Sequence, residues 1–289
     1  MKFVTYNYNG TEYVGVLTND ETSVIPASEF GLKAGSMLEL IKELDGSYPA
    51  APTQAKSIAL SDVKLEAPIP EPRQDVICLG LNYRDHVEEA TRADAVFDIQ
   101  RGDAVYFSKR LQRAVAPGGE IDGHFDICDS LDYEVELGVV IGRDAKNVKA
   151  ADAGKYIFGY TIVNDVSARN LQTRHKQWYF GKSLDDFTPM GPCILSADEV
   201  GAMPELDIRC YVNGEKRQDS NTRMMIFDIP YIIEELSAGM TLKAGTVIAT
   251  GTPSGVALGM PPEVQKYLES GDVVRCEIDG IGVLENTIA

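Results

Sequence analysis

Alternation of apolar and polar side chains predicts most of the structure of this chain. Lys2 to Tyr8 and Glu12 to Leu17 alternate β-branched or aromatic residues with polar ones and are joined through Asn9-Gly10, a pair suited to a tight turn, so an opening β-hairpin is expected. Met37, Leu38, Leu40, Ile41 and Leu44 recur at helical spacing, which predicts a helix over Ser36 to Leu44. Pro68-Ile69-Pro70-Glu71-Pro72 continues neither a helix nor a central strand, and places the boundary between a small N-terminal α/β domain, residues 1–70, and a larger unit, residues 71–289. Beyond it, Asp75 to Gly80 and Tyr106 to Lys109 read as short strands and Leu81 to Ala90 as the start of a helix. Thr91 to Asp103 is polar and irregular, a pattern shared by loops that cover a site and by ordinary surface loops.

The strongest alternation runs through Leu131 to Gly142, read as one strand with Asp132, Glu134 and Glu136 in a row and Tyr133, Val135 and Leu137 on the other face. Three like charges at that spacing repel. Either solvent relieves them or a hard divalent metal held by carboxylate oxygens does. Tyr156 to Asp165 is an apolar strand ending on a carboxylate. Asp165 then has two readings: the third ligand of an oxygen site with Glu134 and Glu136, suited to Mg²⁺ or Mn²⁺, or the cap of a following helix. In the Gly- and Pro-rich stretch from Phe180 to Pro192, read as a loop, Lys182 is either turned inward as a point charge for a developing oxyanion or solvated.

Leu206 to Val212 and Glu215 to Gln218 form a hairpin about Asn213-Gly214, and Gly271 to Gly282 a final one about Asp279-Gly280. Ile226 to Leu236 reads as a helix with Pro230 near its start. Val247 to Val256 is a strand running into a Gly/Thr/Ser loop whose N–H and hydroxyl groups suit a carboxylate ligand. His86 and Glu89 are three apart on the predicted helix. They share a face either as ordinary surface neighbours or as a base with its orienting carboxylate. Lys109 is expected at the surface, the usual place for lysine.

Composition narrows the function classes. Twenty-seven basic against 44 acidic residues give a formal charge of −17, which argues against a nucleic-acid or anionic-membrane partner, since both require a basic face. The five cysteines are odd in number, widely spaced and without a CxxC pair, so neither a disulfide framework nor a zinc site is indicated and a cytoplasmic location is expected. No apolar stretch is long enough to span a bilayer, and the N-terminus lacks the apolar segment of a signal peptide.

Five motifs, in order, carry a resemblance to a known family: Leu79-Gly80-Leu81-Asn82-Tyr83 with His86 and Glu89, the run from Leu131 to Gly142, Asn164 to Arg169, Gly181-Lys182-Ser183, and Thr250 to Gly255. Together they resemble the fumarylacetoacetate hydrolase family from about Asp75 to the C-terminus. The resemblance implies a mostly β fold with α-helices (α+β), built around a curled β-roll with a small N-terminal domain, and usually a homodimer. It also implies a Mg²⁺ or Mn²⁺ site on Glu134, Glu136 and Asp165, with Asp132 in the motif but not a ligand. Lys182 would help to neutralise an enolate, Thr252 and the Gly251 backbone would hold a substrate carboxylate, and Arg169 and Gln172 would line the pocket. His86 and Glu89 would activate water. The implied reaction is metal-dependent hydrolysis of a C–C bond in a small acylpyruvate or diketo acid, a small 2-oxo acid substrate. The alternatives are an isomerase or decarboxylase of 2-oxo dicarboxylates and, further off, a non-catalytic acidic binding protein.

Overall fold

Lys2–Tyr8 and Thr11–Leu17 pair antiparallel as expected, with Asn9 and Gly10 at φ 53° and 83°, the positive pair that a two-residue hairpin turn requires. The structure is a computed structural model that describes residues 1–92 and 102–289, so the predicted loop from Thr91 to Asp103 falls largely outside the described residues. The hairpin does not stand apart. Lys2–Tyr8 bonds antiparallel to Met190–Ser196, so the first residues of the chain belong to the 11-stranded sheet that also carries the acidic strand.

From that junction the sheet continues through Ile157–Asn164, Val135–Ile141, Val247–Ala249, Val76–Gly80 and Val105–Lys109. Val247–Ala249 with Val76–Gly80 is the parallel pair in this run, and it brings residues 250–256 beside the segment leading to His86. Bulges interrupt the register at Val140/Ile141 and at Tyr160/Ile162, which adds local twist and bend. Both faces of the central strands are covered. Val135, Leu137, Val139 and Ile141 join a core that includes Ile208, Cys210, Val274 and Cys276 of a second, five-stranded sheet. Val140, Phe158 and Val163 face the other way, in a core with Met37, Leu40, Ile41 and Leu44 of the helix Met37–Leu44. Strands buried on both sides lose the simple alternation, which is why Val139-Val140-Ile141 is uniformly apolar. The architecture is a mixed α+β fold. No helix among the described residues is long and apolar enough to cross a membrane.

The acidic segment departs from the single strand that its alternation predicts. Leu131–Asp132 pairs with Ser167–Ala168 in a separate two-stranded ladder, the chain breaks at Tyr133 and Glu134, and Val135–Ile141 then joins the large sheet. Side chains cause the break. The Tyr133 N–H is donated to Asp132 Oδ1 at 2.9 Å and the Glu134 N–H to Asn164 Oδ1 at 3.0 Å, in place of ladder bonds. Asp132 is thereby turned away from the row that it was expected to share with Glu134 and Glu136.

One expectation, Lys109 at the surface, is corrected, and two open readings, for Lys182 and Asp165, are narrowed. Lys182 ends a short helical turn, Tyr179–Lys182, and is buried. Lys109 is fully buried, because a carboxylate 56 residues away receives its ammonium. Asp165 caps no helix: the next one, Arg169–Arg174, starts at Ala168 with no side-chain cap.

Candidate active site

Glu134, Glu136 and Asp165 present carboxylate oxygens that all lie within 4.8 Å of one another, and all three residues are buried. Strand geometry puts them there. Glu134 and Glu136 are two apart around the start of Val135–Ile141, and Val135 pairs with Asn164, which sets Asp165 alongside. The Asp165 N–H donates to the Glu134 carbonyl at 2.8 Å and locks the two together.

Cations reach this cluster from three elements. Lys182 Nζ donates to Glu134 Oε2 at 2.9 Å and Asp165 Oδ2 at 2.7 Å, and Lys109 Nζ to Asp165 Oδ1 at 2.6 Å. Arg169 Nη1 lies 2.7 Å from Glu134 Oε1. Burial alone would raise the Glu134 pKa, but Lys182 and Arg169 outweigh it and hold the group down to about 2. Burial likewise opposes the charge of Lys182, yet Asp165 and Glu134 keep its pKa above the ordinary lysine value. Lys109, in deep burial and with Lys182 nearby, is pushed down despite Asp165.

Glu136 differs. Among the described residues its carboxylate receives the Gly251 N–H at 2.8 Å and no cation, and burial, Asp165 and Glu134 drive its pKa well above the ordinary carboxylate value. Four buried carboxylates, counting Asp132, thus face three buried cations. An all-oxygen donor set that is one cation short fits a hard divalent metal ion.

Above the floor lies a small cleft lined by His86, Glu134, Arg169, Gln172, Lys182 and Thr252 among others. His86 Nδ1 is 3.0 Å from Glu89 Oε2, and Glu89 Oε1 accepts the Gly255 N–H at 2.9 Å, so the pair predicted on the helix Arg84–Arg92 forms and is fastened to a distant loop. Gln172 Oε1 accepts from Arg169 Nη1 at 3.0 Å.

Thr252 and Gly251 sit where the sequence places them, but their donors are engaged within the protein. Thr252 Oγ1 donates to the Val135 carbonyl at 2.9 Å, and the Gly251 N–H is the one given to Glu136. Gly251 therefore positions a carboxylate of the chain, where a free donor for a substrate was expected. Its φ of 97°, with Asn82 against the position a Cβ would take, restricts the site to glycine.

Sequence reasoning missed three contributors. Gln218 joins Val135 N–H, Thr252 Oγ1 and the Pro253 carbonyl through bonds of 3.0, 2.8 and 2.7 Å; a lone glutamine in a hairpin carries no signal of that. Phe107 and Trp178 form an edge-to-face wall of the cleft, with ring centroids 5.2 Å apart and Lys182 Nζ 5.2 Å from the Phe107 centroid. Gly80 abuts Trp178 so closely that a Cβ there would overlap the ring as placed, so a glycine ending a strand was the available hint.

Three buried carboxylates thus converge at the floor of a cleft onto which His86 also opens, a donor set of the kind that holds a hard divalent metal ion. Residues 75–289 match the fumarylacetoacetate (FAA) hydrolase C-terminal family, and the chain belongs to that family of enzymes. It is 41% identical to the oxaloacetate tautomerase YisK of Bacillus subtilis (strain 168), with all of both chains covered. Among solved structures it is similar to a fumarylacetoacetate hydrolase from psychrophilic Exiguobacterium antarcticum, with TM-score 0.85 and 37% identity over 100% of this chain and 99% of that one. A 2-hydroxyhepta-2,4-diene-1,7-dioate isomerase from Mycobacterium marinum gives TM-score 0.76 and 30% identity, over 100% and 98%. Membership in an enzyme family disposes of the non-catalytic reading.

Proposed function

We propose that this enzyme acts on a small 2-oxo dicarboxylic acid of the oxaloacetate type, moving the proton on the carbon next to the ketone and so interconverting keto and enol forms. The observation that carries this reading is that His86, oriented by Glu89 at 3.0 Å, opens into the same cleft as Glu134, Arg169 and Lys182. A proton next to a ketone is removed readily only if the oxyanion left behind is stabilised. When bound by Glu134, Glu136 and Asp165, Mg²⁺ or Mn²⁺ would supply Lewis-acid polarisation of the 2-oxo group.

The protein's own groups do the rest. With Nδ1 of His86 engaged by a carboxylate, Nε2 is the nitrogen left to take the proton and return it, and Glu89 stabilises the imidazolium between the two steps. Lys182 places its charge beside the developing oxyanion, and Arg169 and Gln172 border the part of the cleft where a substrate carboxylate is received. The apolar wall of Phe107 and Trp178 limits water there. The full-length likeness to an oxaloacetate tautomerase supports the substrate class.

Hydrolytic C–C cleavage of an acylpyruvate or diketo acid is the second reading. The same dyad suits activation of water, and the likeness to a fumarylacetoacetate hydrolase favours it. Decarboxylation of oxaloacetate passes through the same enolate. The deciding experiment strips the protein of metal, restores Mg²⁺ or Mn²⁺, and follows loss of enol absorbance and pyruvate release with oxaloacetate alongside a panel of acylpyruvates. Metal-dependent enol–keto conversion as the fastest reaction is expected. Pyruvate release from an acylpyruvate outrunning it would replace this reading with the hydrolase. A homodimer belongs to the same reading and is checked by light scattering.

A further inference from the structure

Asp132 is a fully buried carboxylate outside the triad, yet it receives more donors than any ligand in it. Oδ1 accepts the N–H groups of Tyr133 and Ala257, both at 2.9 Å, and Oδ2 accepts the Leu258 N–H at 2.9 Å and Arg169 Nε at 2.8 Å. Arg169 Nη2 lies 2.8 Å from the same oxygen. These partners lead to two different places. Through Arg169, Asp132 is connected to Glu134 Oε1 at 2.7 Å and to Gln172. Through Ala257 and Leu258 it anchors residues 255–259, where the Gly255 N–H holds Glu89 and Gly259 packs so tightly on the Glu89 carboxyl that a Cβ there would overlap it. The neighbouring Tyr133 adds a second tie, its hydroxyl donating to the Gly255 carbonyl at 2.9 Å.

We propose that Asp132 is a positioning residue that sets the His86–Glu89 pair relative to the carboxylate floor, by holding Arg169 with one oxygen and residues 257–258 with both. The inference rests on the proposed role of His86 and extends it to a group that touches neither substrate nor metal. The logic is geometric. His86 and Glu134 come from segments that share no backbone ladder, and the distance between a base and the oxyanion that it serves must be fixed to a fraction of an ångström. A buried carboxylate with several donors is a rigid joint, because each bond to it is charge-assisted and releasing one leaves a charge unpaired in the interior.

The test is Asp132→Asn, which keeps size but gives up the charge and one acceptor. Three quantities are read: kcat and KM for the oxaloacetate enol, Mn²⁺ affinity by electron paramagnetic resonance, and the ¹⁵N resonances of the His86 imidazole, assigned by comparison with His86→Ala. The expected result is a loss of about ten- to hundredfold in kcat, KM and Mn²⁺ affinity within about threefold of the parent, and a displaced His86 resonance. In a His86→Ala background the same substitution is expected to change kcat by less than about threefold, since both changes then act on one step.

An equal loss in both backgrounds overturns the proposal, as does an unmoved His86 resonance or a change confined to Mn²⁺ affinity. Should the neutral variant fail to fold, Asp132→Glu is read in the same way: it retains a charge for Arg169, while its longer arm cannot receive both amides in place. Absence of turnover by the parent protein on every 2-oxo acid would count against the proposed function alone, since the His86 resonance still decides what Asp132 does.

Discussion

The floor and the rim of the cleft are built on different principles. On the floor, charges place one another, Glu136 apart: Lys182 spans Glu134 and Asp165, Lys109 holds the far oxygen of Asp165, and Arg169 holds Glu134. All of these side chains are buried. On the rim, His86 and Glu89 ride a helix that receives hydrogen bonds from the 254–255 loop, Ser254 Oγ to Asp85 at 3.0 Å and Gly255 N–H to Glu89 at 2.9 Å. Binding a cation among like charges requires a scaffold that cannot relax. Moving a proton requires only that one base be aimed.

That contrast can be broken at the floor first. Glu136→Gln removes the carboxylate that has no cation, and is expected to lower kcat by about a thousandfold or more through lost metal binding. The metal-free variant is nevertheless expected to melt no lower than the parent, because the metal-free fold already favours the neutral form of Glu136, which a neutral amide replaces. Calorimetry with and without Mn²⁺ checks both halves, and a much lower melting temperature would mean that the floor is held together by Glu136 after all.

At the rim, His86→Ala is expected to cost about 10²–10⁴-fold in kcat while leaving Mn²⁺ affinity near that of the parent, as measured by titration. Gly259→Ala sharpens the comparison further. Its methyl group would displace the Glu89 carboxyl without touching the floor, and a loss of about 10²-fold in kcat is expected, with metal binding retained.

The smallest effect is a pH dependence. In the metal-free fold the pKa of Glu136 lies above its unfolded value, so above the ordinary carboxylate range the folded state holds the extra proton, and stability falls as pH rises through the folded pKa. A metal must displace that proton. Its stabilising effect is therefore expected to grow with pH over that window, by up to about 1.4 kcal/mol per unit for one proton, and then to level off. Glu134 works in the opposite sense but lower: its contribution is present above the ordinary carboxylate pKa and is lost only as pH falls through about 2. Melting curves with and without Mn²⁺, taken from acid pH upward, test this.

Much of this was legible in the chain. The hairpin at Asn9-Gly10 and the helix ending at Leu44 formed as their periodicity predicts, because each is decided by neighbours in sequence. The helix expected from Ile226 begins instead at Ile229, since Asp228 accepts the Tyr231 N–H and caps it there. Alternation along one strand singled out Glu134 and Glu136, and the family resemblance, where spacing left two readings, joined Asp165 to them. What escaped was set by distant partners. Lys109 looks like any surface lysine until Asp165 is beside it, and Asp132 looks like a member of an acidic row until Ala257 and Leu258 claim it. Met190–Ser196 escaped for a local reason: Gly191-Pro192 reads as loop, and only its place between Lys2–Tyr8 and Ile157–Asn164 makes it a strand.

The pairing of Lys2–Tyr8 with Met190–Ser196 has a practical consequence for any shortened form of the gene. A chain restarted at residue 75, where the family match begins, would leave Met190–Ser196 with an open row of N–H and C=O groups beside Ile194 and Phe158, whose apolar cover of Phe3, Leu40 and Ile41 would be missing. Such an edge accepts whatever strand arrives next. The product to expect is not a smaller enzyme but an insoluble one, and the opening hairpin serves as the chain's own guard against self-association.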